Sequence, residues 1–352
     1  MEQRAGLSET QFIRRVLIVI ALVALTLLLW TLRSVLLLVF GAVVASTLFL
    51  SLAEQFKRLR LPPGLALTMS VLTIFAIVGG AMALFGAQLA DQTESLSQAL
   101  PKAWESLQVR LQSWGVSIDL SQVQPSGLSR SIAASAGQFV MSLGGGVANV
   151  LLIVVGGIFI AASPRFYTVG AVKLVPGAKR HLMFEALGDS GKALRLWLKA
   201  QLVAMALIGT LTGLGLWLLG MPSALALGLL AGLLEFVPYV GPIIAAIPAI
   251  LIAIAIDPQL GLWTVLLYVV IQQVEGYAVQ PLLQSWAVEV PGAVLLFALL
   301  ACGGLFGALG VVFAAPLTVV AYVLIKRLYV REALGTPTPI PGEDQPEPSP
   351  AS

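Results

Sequence analysis

Apolar runs of about eighteen residues or more recur along this chain from Val16 to Ile325, and each is long enough to cross the hydrocarbon core of a bilayer. That recurrence makes the span, not the soluble domain, the unit in which the 352 residues are counted. Composition agrees: 58% of residues are hydrophobic and 11% charged, against about 25% charged in soluble domains. A water-soluble fold could not hide so much apolar surface.

The pattern predicts an all-α integral membrane protein of about eight transmembrane helices, two of them interrupted, with a small helical extramembrane segment between spans three and four. The spans fall near 16–32, 34–52, 63–89, 147–162, 200–220, 224–256, 260–280 and 292–325. Residues 1–90 then hold spans one to three, 91–146 an extracytoplasmic helical segment, 147–334 spans four to eight with a cytoplasmic loop at 163–199, and 335–352 a tail. Arg14 and Arg15 before Val16–Trp30 also resemble a signal peptide, but Arg33 and a second apolar run from Ser34 to Leu52 favour a retained pair of short spans.

Sixteen of the twenty Lys and Arg residues fall in segments 1–15, 53–62, 163–199 and 326–331. The positive-inside rule places these segments in the cytoplasm, and an even number of spans places both termini there, in a bacterial plasma membrane. Partners are then membrane lipid and a small-molecule or ion substrate. The net charge of +3 reflects orientation, with no basic, aromatic-interleaved face for nucleic acid.

Between spans three and four, Leu96, Leu100, Trp104, Leu107, Leu111 and Trp114 form one helical stripe that ends before Gly115. It either buries itself against span ends or caps a path. The tail from Gly335 to Ser352, with six prolines and three acids, is expected to be disordered.

Enzymatic chemistry finds no support. Cys302 is the single cysteine, which excludes an intrachain disulfide or a thiolate metal cluster. Gly188 to Gly191 reads Gly-Asp-Ser-Gly, yet the lone His181 shares its loop and no hydrolase fold surrounds it. Gly191 and Lys192 lack the upstream glycine of a nucleotide-binding loop. No cofactor, metal or catalytic residue is expected.

Carboxylates are the informative residues. From Ala200 to Ile325 there is no Lys, Arg or His, yet Glu235, Asp257, Glu275 and Glu289 lie in or beside the spans. A buried carboxylate there must hold a proton, bind a cation, accept hydrogen bonds or sit at a wet interface. Asp257 before Pro258 reads as an inner turn and Glu289 before Pro291 as part of an outer turn, 281–292. Glu235 precedes Pro238, Tyr239, Gly241 and Pro242, which must break a helix. Gly303, Gly304, Gly307 and Gly310 loosen the last long run before Pro316. Ala245 to Pro248 echoes Phe313 to Pro316, and corresponding interrupted segments point to a transport site. Glu275 adds a polar cluster with Gln272, Gln273, Tyr277 and Gln280, which lines a path or joins helices.

Leu230 to Pro248, containing Phe236-Val237-Pro238-Tyr239-Val240-Gly241-Pro242, resembles the Phe-Ile-Pro-Tyr-Ile-Gly-Pro signature of the autoinducer-2 exporter (AI-2E) family, formerly a predicted permease family. Leu196 to Leu202, Gln273 to Pro281 and Gly303 to Pro316 resemble further motifs of that family, in order. The chain departs from the pattern at Ala200 and at Gly276–Tyr277. The resemblance implies a homo-oligomeric inner-membrane transporter, a pentamer being one such assembly, that exports a small quorum-sensing molecule of the autoinducer-2 type. In some members it implies sodium/proton antiport. A passive channel or a non-transporting scaffold is the alternative of a different class. The expected substrate or ion pathway comprises Glu235, Pro238, Tyr239, Gly241, Pro242, Gln273, Glu275, Gln280, Gly303, Gly304, Gly307 and Gly310.

Overall fold

The computed structural model describes residues 9–84, 86–87, 146, 148–222, 224–284, 288 and 290–341. The regular elements among them are all helices, and the stripe at 96–114 and Glu289 lie outside the described residues. Among the described residues, five helices are long and apolar enough to cross a membrane: Ile13–Arg58, Pro63–Leu84, Gly177–Leu218, Pro258–Leu282 and Gly292–Ala333. A bent pair, Ala148–Ala162 with Pro164–Lys173, makes a sixth. The expected count of eight does not emerge, for two physical reasons.

The first is at the N-terminus. Helix α1 runs without interruption from Glu9 to Arg58, about 75 Å at 1.5 Å per residue. Neither Arg33 nor Ser34 breaks a helix, and the Arg33 guanidinium lies 4.4 Å from the Trp30 ring centroid, so its charge finds a partner without ending the helix. Two expected spans are therefore one element. Its second half is the packed one: Leu37 and Val44 join Ile153, Leu194, Leu198 and Phe313 in a core cluster. Helix α2 (Pro63–Leu84) is tied to α1 by the Ser70 hydroxyl, which donates to the Phe49 carbonyl at 2.8 Å.

Helix α3 (Ala148–Ala162) turns by 94° at Ser163 into α4 (Pro164–Lys173). The Arg180 side chain donates to the carbonyls of Val175 and Lys173 after α4. Helix α5 (Arg180–Leu218) then crosses. Its N-terminal part belongs to a basic end of the molecule, held by ion pairs of Arg195 with Glu54 (2.6 Å) and of Arg327 with Glu185 (2.6 Å) and Asp189 (3.3 Å).

The second reason is that two expected spans fold back on themselves. Helix α6 (Ala224–Leu234) descends along α5, with Gly228 and Gly232 packed backbone to backbone against Gly213 and Gly209. The helix breaks over 235–239, and α7 (Val240–Ile256) returns beside it, so that Ala249, Ile252 and Ala253 pack with Ala224, Leu227 and Leu216. Tyr239 makes the reversal at φ +65°, a left-handed conformation uncommon for a bulky residue. A Cβ on Gly241 would fall on the Leu234 carbonyl, so only glycine closes this turn.

Asp257 therefore lies at the end of the molecule opposite the basic one. It caps α8 (Pro258–Val274), its carboxylate accepting from the Leu260 N–H at 3.2 Å with Pro258 in the first turn. Helix α8 continues through a π-helical turn, Glu275–Val279, into α9 (Gln280–Gln284). The 281–291 connection then reaches the basic end, where Val288 packs with Ala193 and Val323.

Helix α10 (Gly292–Leu324) reverses at Gly307, which adopts φ +66° and ψ −148°. A Cβ on Gly310 would fall on the Cys302 carbonyl, eight residues earlier, a contact that a straight helix could not make. Residues 292–306 and 308–324 are the two limbs of a second hairpin, opening toward the basic end. A π-helical segment, Ile325–Ala333, follows. The tail, expected to be disordered from Gly335, packs back as far as Ile340, its sole large apolar residue, which is 3% exposed.

If 224–256 re-enters, Pro222→Cys and Gln259→Cys will react with an impermeant maleimide from one side of the membrane, and Arg60→Cys and Leu334→Cys from the other. Opposite-side labelling of positions 222 and 259 would mean that the segment crosses.

Candidate functional site

The two hairpins enter from opposite ends and meet. Val237 and Val240 of the first pack against Leu299, Cys302 and Ala314 of the second, and Phe236 and Phe306 share the neighbouring cluster. Broken helices at such depth survive only where protein satisfies their freed backbone. The Gln201 side chain of α5 does so here, donating from Nε2 to the Glu235 carbonyl at 2.6 Å.

Fixing that carbonyl commits the Glu235 side chain to the interior. Glu235 is fully buried, and among the described residues no donor reaches either carboxylate oxygen. The group facing it is the Glu275 carboxylate, near enough to act on it electrostatically. Two carboxylates face to face form a hydrogen bond only if one carries a proton; otherwise they repel unless a cation lies between them. Glu275, itself 5% exposed, is held by the amides of Gln272 (2.9 Å) and Gln280 (3.3 Å). The π-helical turn that begins at Glu275 resets the helical register, and such turns recur at functional sites.

Beside this pair lies a cavity of about 310 Å³. Trp197, Ala200 and Gln201 of α5 form one wall and Pro238 and Tyr239 of the first hairpin tip another. Gln272, Glu275, Gly276, Gln280 and Pro281 form the third, and Val288, Val290, Gly292 and Leu295 complete it toward the basic end. No basic residue lines it. Trp197 is braced edge-on by Phe236, with ring centroids 6.1 Å apart.

Of the residues singled out from sequence, Glu235, Pro238, Tyr239, Glu275 and Gln280 gather at this place, and Gly241 and Pro242 build the turn that presents them. Gln273 does not: it is exposed, and its neighbour Gln272 faces the carboxylate. Gly303, Gly304, Gly307 and Gly310 shape the second hairpin and do not line the cavity. Sequence reasoning missed Gln201 and Trp197 as site residues. Gln201 stood inside a family-like motif, and a polar side chain opening an apolar run was the available signal.

Residues 18–329 match the family described as AI-2E family transporter. The chain is 33% identical to the "Putative transport protein YrrI" of Bacillus subtilis (strain 168) over 152 residues, 43% of each chain, so it spans less than half of that relative's length. It is 25% identical over 311 residues to the "Putative transport protein MT0215" of Mycobacterium tuberculosis, covering 84% of each. It is 26% identical over 292 residues to the "AI-2 transport protein TqsA" of Escherichia coli (strain K12), covering 78% of this chain and 81% of the relative.

Gln201→Leu leaves the Glu235 carbonyl buried without its donor, at a cost of about 1–3 kcal/mol. A lowered thermal midpoint in detergent, largely restored in Gln201→Asn if the shorter amide still reaches, is the expected result. An unchanged midpoint in Gln201→Leu would remove this hydrogen bond from the account.

Proposed function

Because the chain belongs to the AI-2E family of transporters, we propose that it is a secondary transporter of the plasma membrane that exports a small polar solute of the autoinducer-2 type. The single observation that carries this reading is the cavity walled by a broken-helix tip and by Glu275, with the buried Glu235 within electrostatic reach of that carboxylate. Interrupted helices meeting near the middle of the membrane are where transporters expose backbone to cargo.

The lining narrows the cargo. Glu275 and the amides of Gln201, Gln272 and Gln280, with no basic residue, suit a neutral or cationic solute and repel anions. Trp197 and Tyr239 offer flat faces to a ring. Of the departures from the family pattern, Ala200 and Gly276 stand on the cavity wall, where a side chain changes what fits, and Tyr277 is exposed away from it.

Glu235 and Glu275 are the proposed coupling site, since facing carboxylates exchange a proton or cation as cargo comes and goes. The same pair favours a second reading, sodium/proton antiport without an organic cargo. The hairpins act as gates: the first closes the cavity from the end bearing Asp257, and the second packs against its tip. We assign the basic end to the cytoplasm, which puts the C-terminal helix there. The matching expectation for the N-terminus rested on two spans where α1 is one helix.

Purified protein in liposomes is expected to drive autoinducer-2 efflux under an imposed proton or sodium gradient, reduced about tenfold or more in Glu235→Gln. Sodium-dependent proton movement in everted vesicles with no autoinducer-2 flux would select the antiporter reading. Absence of both would leave a channel or scaffold.

A further inference from the structure

The cavity's wall toward the basic end is not self-supporting, and the segment that supports it comes from the far end of the chain. Val288 and Val290 belong to the 281–291 connection and both line the cavity. Val288 is 4% exposed, in a cluster with Ala193 of α5, Val319 and Val323 of α10, and Ile340 of the C-terminal tail. Val290 packs against the same cluster.

Ile340 reaches that cluster through a specific fold-back. Gly335 turns the chain at φ +65°, and the Thr336 N–H donates to the Val330 carbonyl at 3.1 Å. The Arg331 guanidinium then donates to the Thr338 carbonyl at 2.7 Å, and the Lys326 ammonium to the Pro339 carbonyl at 3.4 Å. The prolines at 337, 339 and 341 lack N–H donors and hold the segment extended, which leaves its carbonyls free to accept. A sequence with one large apolar residue has one anchor, and here that anchor is buried beside the cavity wall.

We infer that residues 335–341 form a strap that holds Val288 and Val290 in the cavity wall, and that release of Ile340 opens the cavity toward the basic end. Among the described residues the strap docks through one large apolar side chain, Ile340, and its backbone is held by hydrogen bonds from Arg331 and Lys326 and to the Val330 carbonyl, so it can open locally without unfolding the helices. The helix from which it hangs is fixed separately, by Arg327 to Glu185 and Asp189. The tail can therefore leave while the helix stays. This is a regulatory device independent of the identity of the cargo, and its test does not require transport.

The test uses the full chain carrying Cys302→Ser and a single reporter, Val290→Cys, exposed to a water-soluble maleimide at the basic end. Ile340→Asp is expected to speed labelling about tenfold or more, because the burial that docks the strap is lost. Ile340→Val is expected to restore slow labelling. An Ala253→Cys reporter, buried in the cluster at the opposite end, controls for general loosening. Unchanged labelling of position 290 in Ile340→Asp overturns the strap, as does equal acceleration at 290 and 253.

Discussion

Hydrocarbon offers no hydrogen bonds, so a helix that stops inside a bilayer must find partners for its freed backbone groups within the protein. This chain breaks helices within its apolar segments twice, at 235–239 and at Gly307, and the architecture follows from how those breaks are satisfied. The first is closed by Gln201 from a neighbouring helix, and the second by a turn that only a glycine backbone adopts. Each hairpin also shields the other, since their tips share one apolar cluster. The close glycine contacts of α6 with α5 draw the first hairpin against the helix that carries Gln201.

The same geometry concentrates the polar chemistry. The Glu235 carboxylate, fully buried and without a donor among the described residues, lies within electrostatic reach of Glu275, where the π-helical turn that ends α8 begins. Two glutamine amides hold the Glu275 carboxylate, a third holds the Glu235 backbone carbonyl, and among the described residues none that is basic lines the cavity. Charge neutralisation must therefore come from a proton or a mobile cation, which is the physical content of a coupling site.

Much of this was legible in the sequence. Apolar runs identified the membrane class, the Pro-Tyr-Val-Gly-Pro stretch located a break, and unpaired glutamates marked the polar centre. What could not be read was direction. A run of 33 residues containing a break fits a kinked crossing and a hairpin equally, because hydropathy counts residues and not the sign of φ at Tyr239 or Gly307. The same ambiguity hid that Asp257 lies at the end opposite the basic one and that Val288 packs at the basic end. Conversely, Arg33 looked like a boundary because its charge is costly in lipid, yet stacking on Trp30 leaves the helix intact. The echo between Ala245–Pro248 and Phe313–Pro316 proved structural: both fall on the returning limbs, after glycines that abut the opposite limb's carbonyl.

The central claim is that the facing carboxylates couple the movement of cargo to an ion while the hairpins carry the cargo itself. Solute counterflow, exchange of labelled for unlabelled autoinducer-2 across liposomes without any ion gradient, separates these two roles in the double variant Glu235→Gln, Glu275→Gln. The account predicts that exchange persists while gradient-driven accumulation disappears. Accumulation that still follows the imposed gradient in the double variant would contradict it.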